Sequence, residues 1–336
     1  MVTDLTQSDC SLLYDIPLDE LGKRAATVRF QRHGAWVDLL FVGRLEYSNV
    51  CHNSCCHCLR ASFGGKPEGI TLDPEEVGRR AAELYRRGIT VLELLGGSNP
   101  ALPLAYHADL VAAAHDAAPG IDIEGFTPQI IHDLARANVI PIEGVLQALI
   151  DAGLTRLAGD GGEVFSHRIR TMLSPTKITG GTWLRVMIAA HEMGMKSTAS
   201  MTFGYHETVA EKAEHLALLG DVQDETGGFT AYWPEPPDDG FHTLPLNGEA
   251  TGEDILRELA VARLSLDSFE HIRCLACPSL SMEDFARAPA YGADQLALVT
   301  CCVATDEECP EPRVMPDDIR GMLEAAGWQL PTPTPA

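Results

Sequence analysis

Basic residues are scarce in this sequence: 25 Lys and Arg stand against 48 Asp and Glu among 336 residues, a formal charge of −23 at pH 7. A surface of that sign repels phosphate backbones and anionic lipid, so neither a nucleic-acid nor a membrane partner is expected. Long apolar runs are missing too: no stretch of about 18 apolar residues would let a helix span a bilayer. The first 21 residues lack the basic start and apolar block of a secretory signal and instead carry Asp4, Asp9, Asp15, Asp19 and Glu20, which points to the cytoplasm. Aromatic residues make up only 6%, yet hydrophobic residues reach 45% and charged ones 22%, a globular composition that excludes collagen and wholesale disorder. What the chain does have is ten cysteines, and all but Cys10 fall in two groups, from Cys51 to Cys58 and from Cys274 to Cys309. In a large chain with no signal, such grouping points to metal or cluster ligation rather than to a disulfide framework.

One unit recurs along the chain: an amphipathic helix, a Gly where it stops, then a short apolar strand with a polar or Gly-rich end. In its clearest copy Asp73 is the N-cap, Pro74 opens the first turn, Glu76 completes a capping box, and Val77, Ala81, Leu84 and Tyr85 form the apolar stripe. Gly88 ends that helix, and residues 89–95 follow as a strand buried on both faces. Residues 145–158, 183–203 and 286–300 repeat the unit around Gly153, Gly194 and Gly292; residues 39–47, 121–126, 228–233 and 272–275 supply further strands. Eight strands alternating with helices predict an α/β fold, a (β/α)8 TIM-type barrel over residues 44–330, with an open doubly wound sheet as the alternative. Residues 1–43 read as an N-terminal extension in which 27–32 and 36–42 flank His33-Gly34 as a β-hairpin covering the lower end of the barrel. The Pro- and Asp-rich segment 234–254 reads as a cover over the site, and residues 331–336 as a disordered tail.

Parallel barrels present their reactive groups at the carboxyl ends of the strands. Beyond the predicted strands lie the Cys51 group, Gly96-Gly97-Ser98-Asn99, Thr127, residues 159–163 ending in Glu163, His206-Glu207, Trp233 and Glu235, Cys274 and Cys277, and Cys301-Cys302. The sharpest element is the C-x3-C-x2-C spacing of Cys51, Cys55 and Cys58. Three thiolates hold three irons of a four-iron cluster, which leaves the fourth iron open to a small molecule.

That spacing resembles the signature of the radical S-adenosylmethionine enzymes. Gly-Gly-Ser-Asn-Pro at 96–100, Gly-Phe-Thr-Pro at 125–128, Gly-Asp-Gly-Gly-Glu-Val at 159–164, Arg168-Ile-Arg170, Ser-Pro-Thr-Lys at 174–177 and Gln-Asp-Glu-Thr-Gly-Gly-Phe at 223–229 narrow the likeness. The pattern is similar to aminofutalosine synthase, dehypoxanthine futalosine cyclase and the deazaflavin (FO) synthase subunits, over residues 44–306. Three departures mark a divergent member: His57 precedes the third cysteine where those enzymes carry an aromatic residue, Ala293 to Cys302 replaces an Asn-Asp-Leu-Gly-Gly-Thr stretch, and Cys274, Cys277 and Cys309 are extra.

The resemblance implies a barrel, a [4Fe-4S] cluster on Cys51, Cys55 and Cys58, and reductive cleavage of S-adenosylmethionine to a 5′-deoxyadenosyl radical that adds to, or takes hydrogen from, a small-molecule substrate. It also implies a flavodoxin- or ferredoxin-type reductant and a place in cofactor or natural-product biosynthesis. Gly96, Gly97, Ser98 and Thr127 then belong to S-adenosylmethionine, Glu163 to its ribose or ammonium, and Arg170 or Arg168 to its carboxylate. The competing readings are a tight turn, a solvated acid and surface ion pairs. Asn99, His206, Glu207, Trp233 and Glu235 are candidates for substrate contact or plain packing. Cys274, Cys277, Cys301, Cys302 and Cys309 permit a second cluster, though Cys also serves as a small apolar residue in strands. Two other protein classes compete with the enzyme: a zinc-stabilised binding protein, with Cys274 and Cys277 closing the site, and an iron–sulfur electron carrier.

Overall fold

The computed structural model describes residues 7–58, 69–237, 250–303, 309 and 316–331. Eight parallel strands close on themselves: β1 (Asp38–Ser48), β2 (Val91–Gly96), β3 (Asp122–Glu124), β4 (Arg156–Leu157), β5 (Lys196–Thr202), β6 (Phe229–Glu235), β7 (His271–Leu275) and β8 (Gln295–Cys302). β1 pairs with β8 from Asp38↔Gln295 to Leu45↔Cys302, which seals the barrel. Helices fill every return, as parallel strands require. The barrel's first strand begins at Asp38, ahead of the expected boundary at residue 44.

Strand side chains alternate between two cores. Leu45, Leu92, Leu94, Leu296 and Leu298 point outward into the large apolar layer under the helices. Val42, Val91, Trp233, Leu275 and Ala297 form a separate small cluster inside the barrel. The helices begin and end where local chemistry dictates. Asp73 accepts a hydrogen bond from the Glu76 backbone N–H at 2.8 Å and starts the helix Pro74–Arg86. The expected reciprocal bond is replaced: Glu76 takes Arg79 Nε at 2.7 Å and Arg80 Nε at 2.6 Å instead.

The N-terminal hairpin is corrected. Residues 27–32 lie within the helix Leu18–His33, which buries Leu21, Gly22, Ala25 and Arg29 at helical spacing. Thr27, Val28 and Phe30 look strand-like locally, but Phe30 is left exposed. The anchor is Arg29, whose guanidinium donates to the Ala293 and Gly34 carbonyls at 3.0 and 2.8 Å and stacks over Trp328 at 4.5 Å. Gly34, at φ +58°, ends this helix rather than turning a hairpin. Most of the expected cover, at 238–249, and nearly all of the tail, at 332–336, lie outside the described residues.

Candidate active site

The loop from Cys51 to Cys58 leaves the end of β1 and is held from both sides. On one side the Gly97 N–H donates to the Ser48 carbonyl at 2.8 Å, and the His52 N–H to the Ser98 carbonyl at 3.0 Å, with His52 Nδ1 on that same oxygen at 2.8 Å. On the other side the Cys56 N–H donates to the Leu173 carbonyl at 2.9 Å and the Ser54 N–H to Thr176 Oγ1 at 2.8 Å. Gly97 makes this possible: a Cβ there would strike the Val50 carbonyl, and one on Gly96 would enter the ring of Tyr47.

Beneath the loop sits a buried charge cluster. Glu163, in the left-handed region at φ +42° and 1% exposed, accepts Lys177 Nζ at 2.5 Å, Arg170 Nη1 at 2.7 Å and Ser174 Oγ at 3.3 Å. His57 Nε2 lies 3.6 Å from it. Burial pushes the Glu163 carboxyl up, but Lys177 and then Arg170 outweigh that and hold it well below the usual range. Burial also raises the Cys55 thiol, opposed by the Lys177 ammonium. Arg170 spends its remaining donors on carbonyls, with Ile178 at 2.6 Å and Gly162 at 2.5 Å, so it ties the Gly159–Glu163 turn to the next helix.

The other expected residues sort themselves plainly. Arg168 is an exposed pair with Glu211, at 2.5 and 3.0 Å, and also caps the His206 carbonyl at 2.8 Å. Ser98 Oγ donates to Asp133 at 2.6 Å, and Thr127 caps the helix Pro128–Asn138 by position only. Asn99 accepts the Ala101 N–H at 3.0 Å and Glu207 the Gly204 and Tyr205 N–H groups at 2.6 and 3.0 Å, so the amide and the carboxylate each close their own turn. Trp233 is fully buried inside the barrel, and Glu235 lies 3.5 Å from Arg44.

With this geometry in place, a family model described as the radical SAM superfamily matches residues 45–219, from β1 to the helix that follows β5. The chain belongs to the radical SAM superfamily. It is an enzyme, and its relatives are enzymes. It is 35% identical to the aminodeoxyfutalosine synthase of Thermus thermophilus over 80% of this chain and 74% of that one. It is 32% identical to the cyclic dehypoxanthine futalosine synthase of Streptomyces coelicolor over 88% and 75%. In fold it is similar to HydG, a maturase of the [FeFe]-hydrogenase, with a TM-score of 0.76 at 16% identity over 97% of this chain and 72% of that one.

Radical SAM membership implies a [4Fe-4S] cluster and S-adenosylmethionine, and the donor set fits. Cys51, Cys55 and Cys58 share one short loop, and the disulfide among the described residues lies elsewhere, joining Cys302 to Cys309. That bond takes two of the late cysteines. Cys302 is buried in the outer core and Cys274 with it, whereas Cys301, one residue from Cys302, occupies the opposite face of β8.

Reading the sequence missed the charges inside the barrel. Arg44, Glu93, Glu124 and Arg156 are register partners across β1 to β4, with Arg44 Nε 2.6 Å from Glu93. The signal was present in β2, where Glu93 is the one charged residue of Val-Leu-Glu-Leu-Leu-Gly.

Proposed function

We propose that this enzyme cleaves S-adenosylmethionine reductively at a [4Fe-4S] cluster held by Cys51, Cys55 and Cys58, and directs the radical at a small-molecule substrate in cofactor or natural-product biosynthesis. The observation that carries this reading is the cysteine loop, braced on both sides by backbone hydrogen bonds and carrying Cys51, Cys55 and Cys58 at the C-x3-C-x2-C spacing, with Cys56 as an additional thiol between them. When bound, the cluster supplies the electron that breaks the carbon–sulfur bond of S-adenosylmethionine and frees a 5′-deoxyadenosyl radical. The chain's own residues do the positioning. Gly96 and Gly97 let the turn after β2 lie against the loop, and Ser98 and Thr127, beyond the ends of β2 and β3, stand on the rim expected to take the amino-acid end of the nucleotide. Glu163 acts through Lys177 and Arg170. With two cations on one carboxylate beside Cys55, the cluster of side chains carries net positive charge where thiolates bring negative charge. Buried surroundings keep water from a species that would otherwise be quenched. The enzyme works, in this reading, in the cytoplasm with a flavodoxin- or ferredoxin-type reductant.

The test is anaerobic. The purified chain is loaded with iron and sulfide, reduced with dithionite and assayed for 5′-deoxyadenosine. Iron binding with nucleotide cleavage is expected, and Cys55→Ala should lose both. A colourless zinc protein, an iron protein that leaves S-adenosylmethionine intact, or full cleavage by Cys55→Ala would each overturn the proposal.

A further inference from the structure

At the amino ends of the strands, the face of a parallel barrel that serves stability rather than catalysis, two histidines and an aspartate lie side by side. His33 is the last residue of the helix Leu18–His33, His271 is the first of β7, and Asp294 immediately precedes β8. Barrel closure brings them together. Asp38, at the start of β1, pairs with Gln295, and its N–H donates to the Asp294 carbonyl at 2.9 Å. One ligand atom from each of the three, two imidazole nitrogens and a carboxylate oxygen, lies within 4.8 Å of the others.

The carboxylate is held so that one oxygen faces both rings. Asp294 is buried, and its Oδ1 accepts the Ile272 N–H at 2.9 Å and pairs with the Arg263 guanidinium. Its Oδ2 takes His271 Nδ1 at 2.5 Å and lies 3.6 Å from His33 Nε2. The longer separation is no hydrogen bond. It is close to the roughly 3.3 Å between two ligands of a tetrahedral zinc ion, whose bonds are about 2.0–2.1 Å. The two rings are stacked with centroids 5.6 Å apart. Their side chains are 18% and 21% exposed, so an ion reaches them from solvent.

The donor types select the ion. Two imidazole nitrogens and one carboxylate oxygen suit zinc and its neighbours and are poor for magnesium or calcium, which call for oxygen ligands. The geometry points to a structural site for a divalent ion of the zinc type on His33, His271 and Asp294, with water completing the ligands, that clamps the end of the helix Leu18–His33 to the base of β7 and β8. To bind, the ion replaces the proton shared by His271 Nδ1 and Asp294 and spreads that contact by under about 1 Å. The proton moves to His271 Nε2, which lies 3.9 Å from the Glu270 carboxylate, a placement that orients a metal-bound histidine. Two costs oppose this. His33 Nε2 gives up its contact with the Glu270 carbonyl at 3.1 Å, and Arg263 already draws on the Asp294 charge. Arg29 and Arg32 are directed at backbone carbonyls and Asp267. The expected affinity is therefore micromolar rather than tighter.

The experiment is equilibrium dialysis of the anaerobic, cluster-loaded enzyme against zinc chloride, with zinc and iron counted per chain and magnesium chloride as the control. His33→Gln and His271→Gln should each bind this zinc at least about tenfold more weakly than the parent, while their iron content stays at the parent's value. Zinc-edge X-ray absorption of the parent should show a nitrogen and oxygen shell at about 2.0–2.1 Å. Zinc should also raise the parent's melting temperature by a few degrees and leave both variants unmoved, because it binds the folded chain alone. A sulfur shell at about 2.3 Å would put the ion on the free cysteines instead. That result, equal zinc uptake by the parent and both variants, or magnesium bound as tightly as zinc would each overturn the inference. None of these readings involves nucleotide cleavage, so the radical proposal stands or falls separately.

Discussion

At Gly97 a Cβ would meet the Val50 carbonyl and come within 2.7 Å of the Cys51 Cβ, and neither neighbour is the free end of a flexible chain. The Gly97→Ala enzyme is therefore expected to fold with its cysteine loop displaced, because the strain falls on the loop rather than on the barrel. Iron per chain after anaerobic loading should drop below half the parent's value while the far-ultraviolet circular dichroism stays unchanged; full iron content would show that the loop tolerates the shift. Single residues were legible in the sequence where their chemistry is intrinsic. Cys51, Cys55 and Cys58 declare themselves by residue type and spacing, and Gly96-Gly97 by the absence of a side chain. Glu163, Arg168 and Arg170 were legible only as charges. What each one touches depends on packing: Arg168 stays on the surface with Glu211, while Arg170 is buried and consumed by Glu163 and three carbonyls.

Among the elements, β3 carries the clearest energetic consequence. Burial, and next the negative charge of Glu93, raise the Glu124 carboxyl to about 7 from an ordinary value near 4.5. An acid held neutral in the folded chain ionises first in the unfolded chain, so stability declines as pH rises through the window between those values and stays reduced above it. Each pK unit corresponds to about 1.4 kcal/mol, giving a penalty on the order of 3 kcal/mol at pH 8. Glu124→Gln should accordingly melt higher than the parent at pH 8 and within a degree or so of it at pH 4.5. Melting curves across that range check the sign, and an equal difference at both ends would place the cost elsewhere. Element boundaries followed the caps and glycines closely, because those act over a few residues. The helix Leu18–His33 did not, because its hold on the fold comes from Arg29 reaching the carbonyl of Ala293, a contact no local pattern announces.

For the whole molecule the cysteine inventory makes the sharpest forecast. Cys302 is joined to Cys309, and Cys301 lies on the other face of β8 from Cys302, which leaves the proposed cluster on Cys51, Cys55 and Cys58 as the expected iron site. Iron analysis of the anaerobically loaded enzyme should return about four irons per chain, and about eight would reveal a second cluster among the late cysteines. Among the described residues no helix is long and apolar enough to cross a membrane.

Taken by itself the sequence determined the succession of helices and strands, the parallel barrel that such alternation forces, and the spacing of three sulfur ligands at one strand end. All of these are local: periodicity, capping and ligand spacing act between residues a few positions apart. Only the tertiary structure decided which charges lose their water. Closure sets Arg44 beside Cys301 and Glu93 beside Glu124, residues far apart in the chain, and desolvation by neighbours so distant is what turns ordinary strand charges into a buried, half-satisfied charge network.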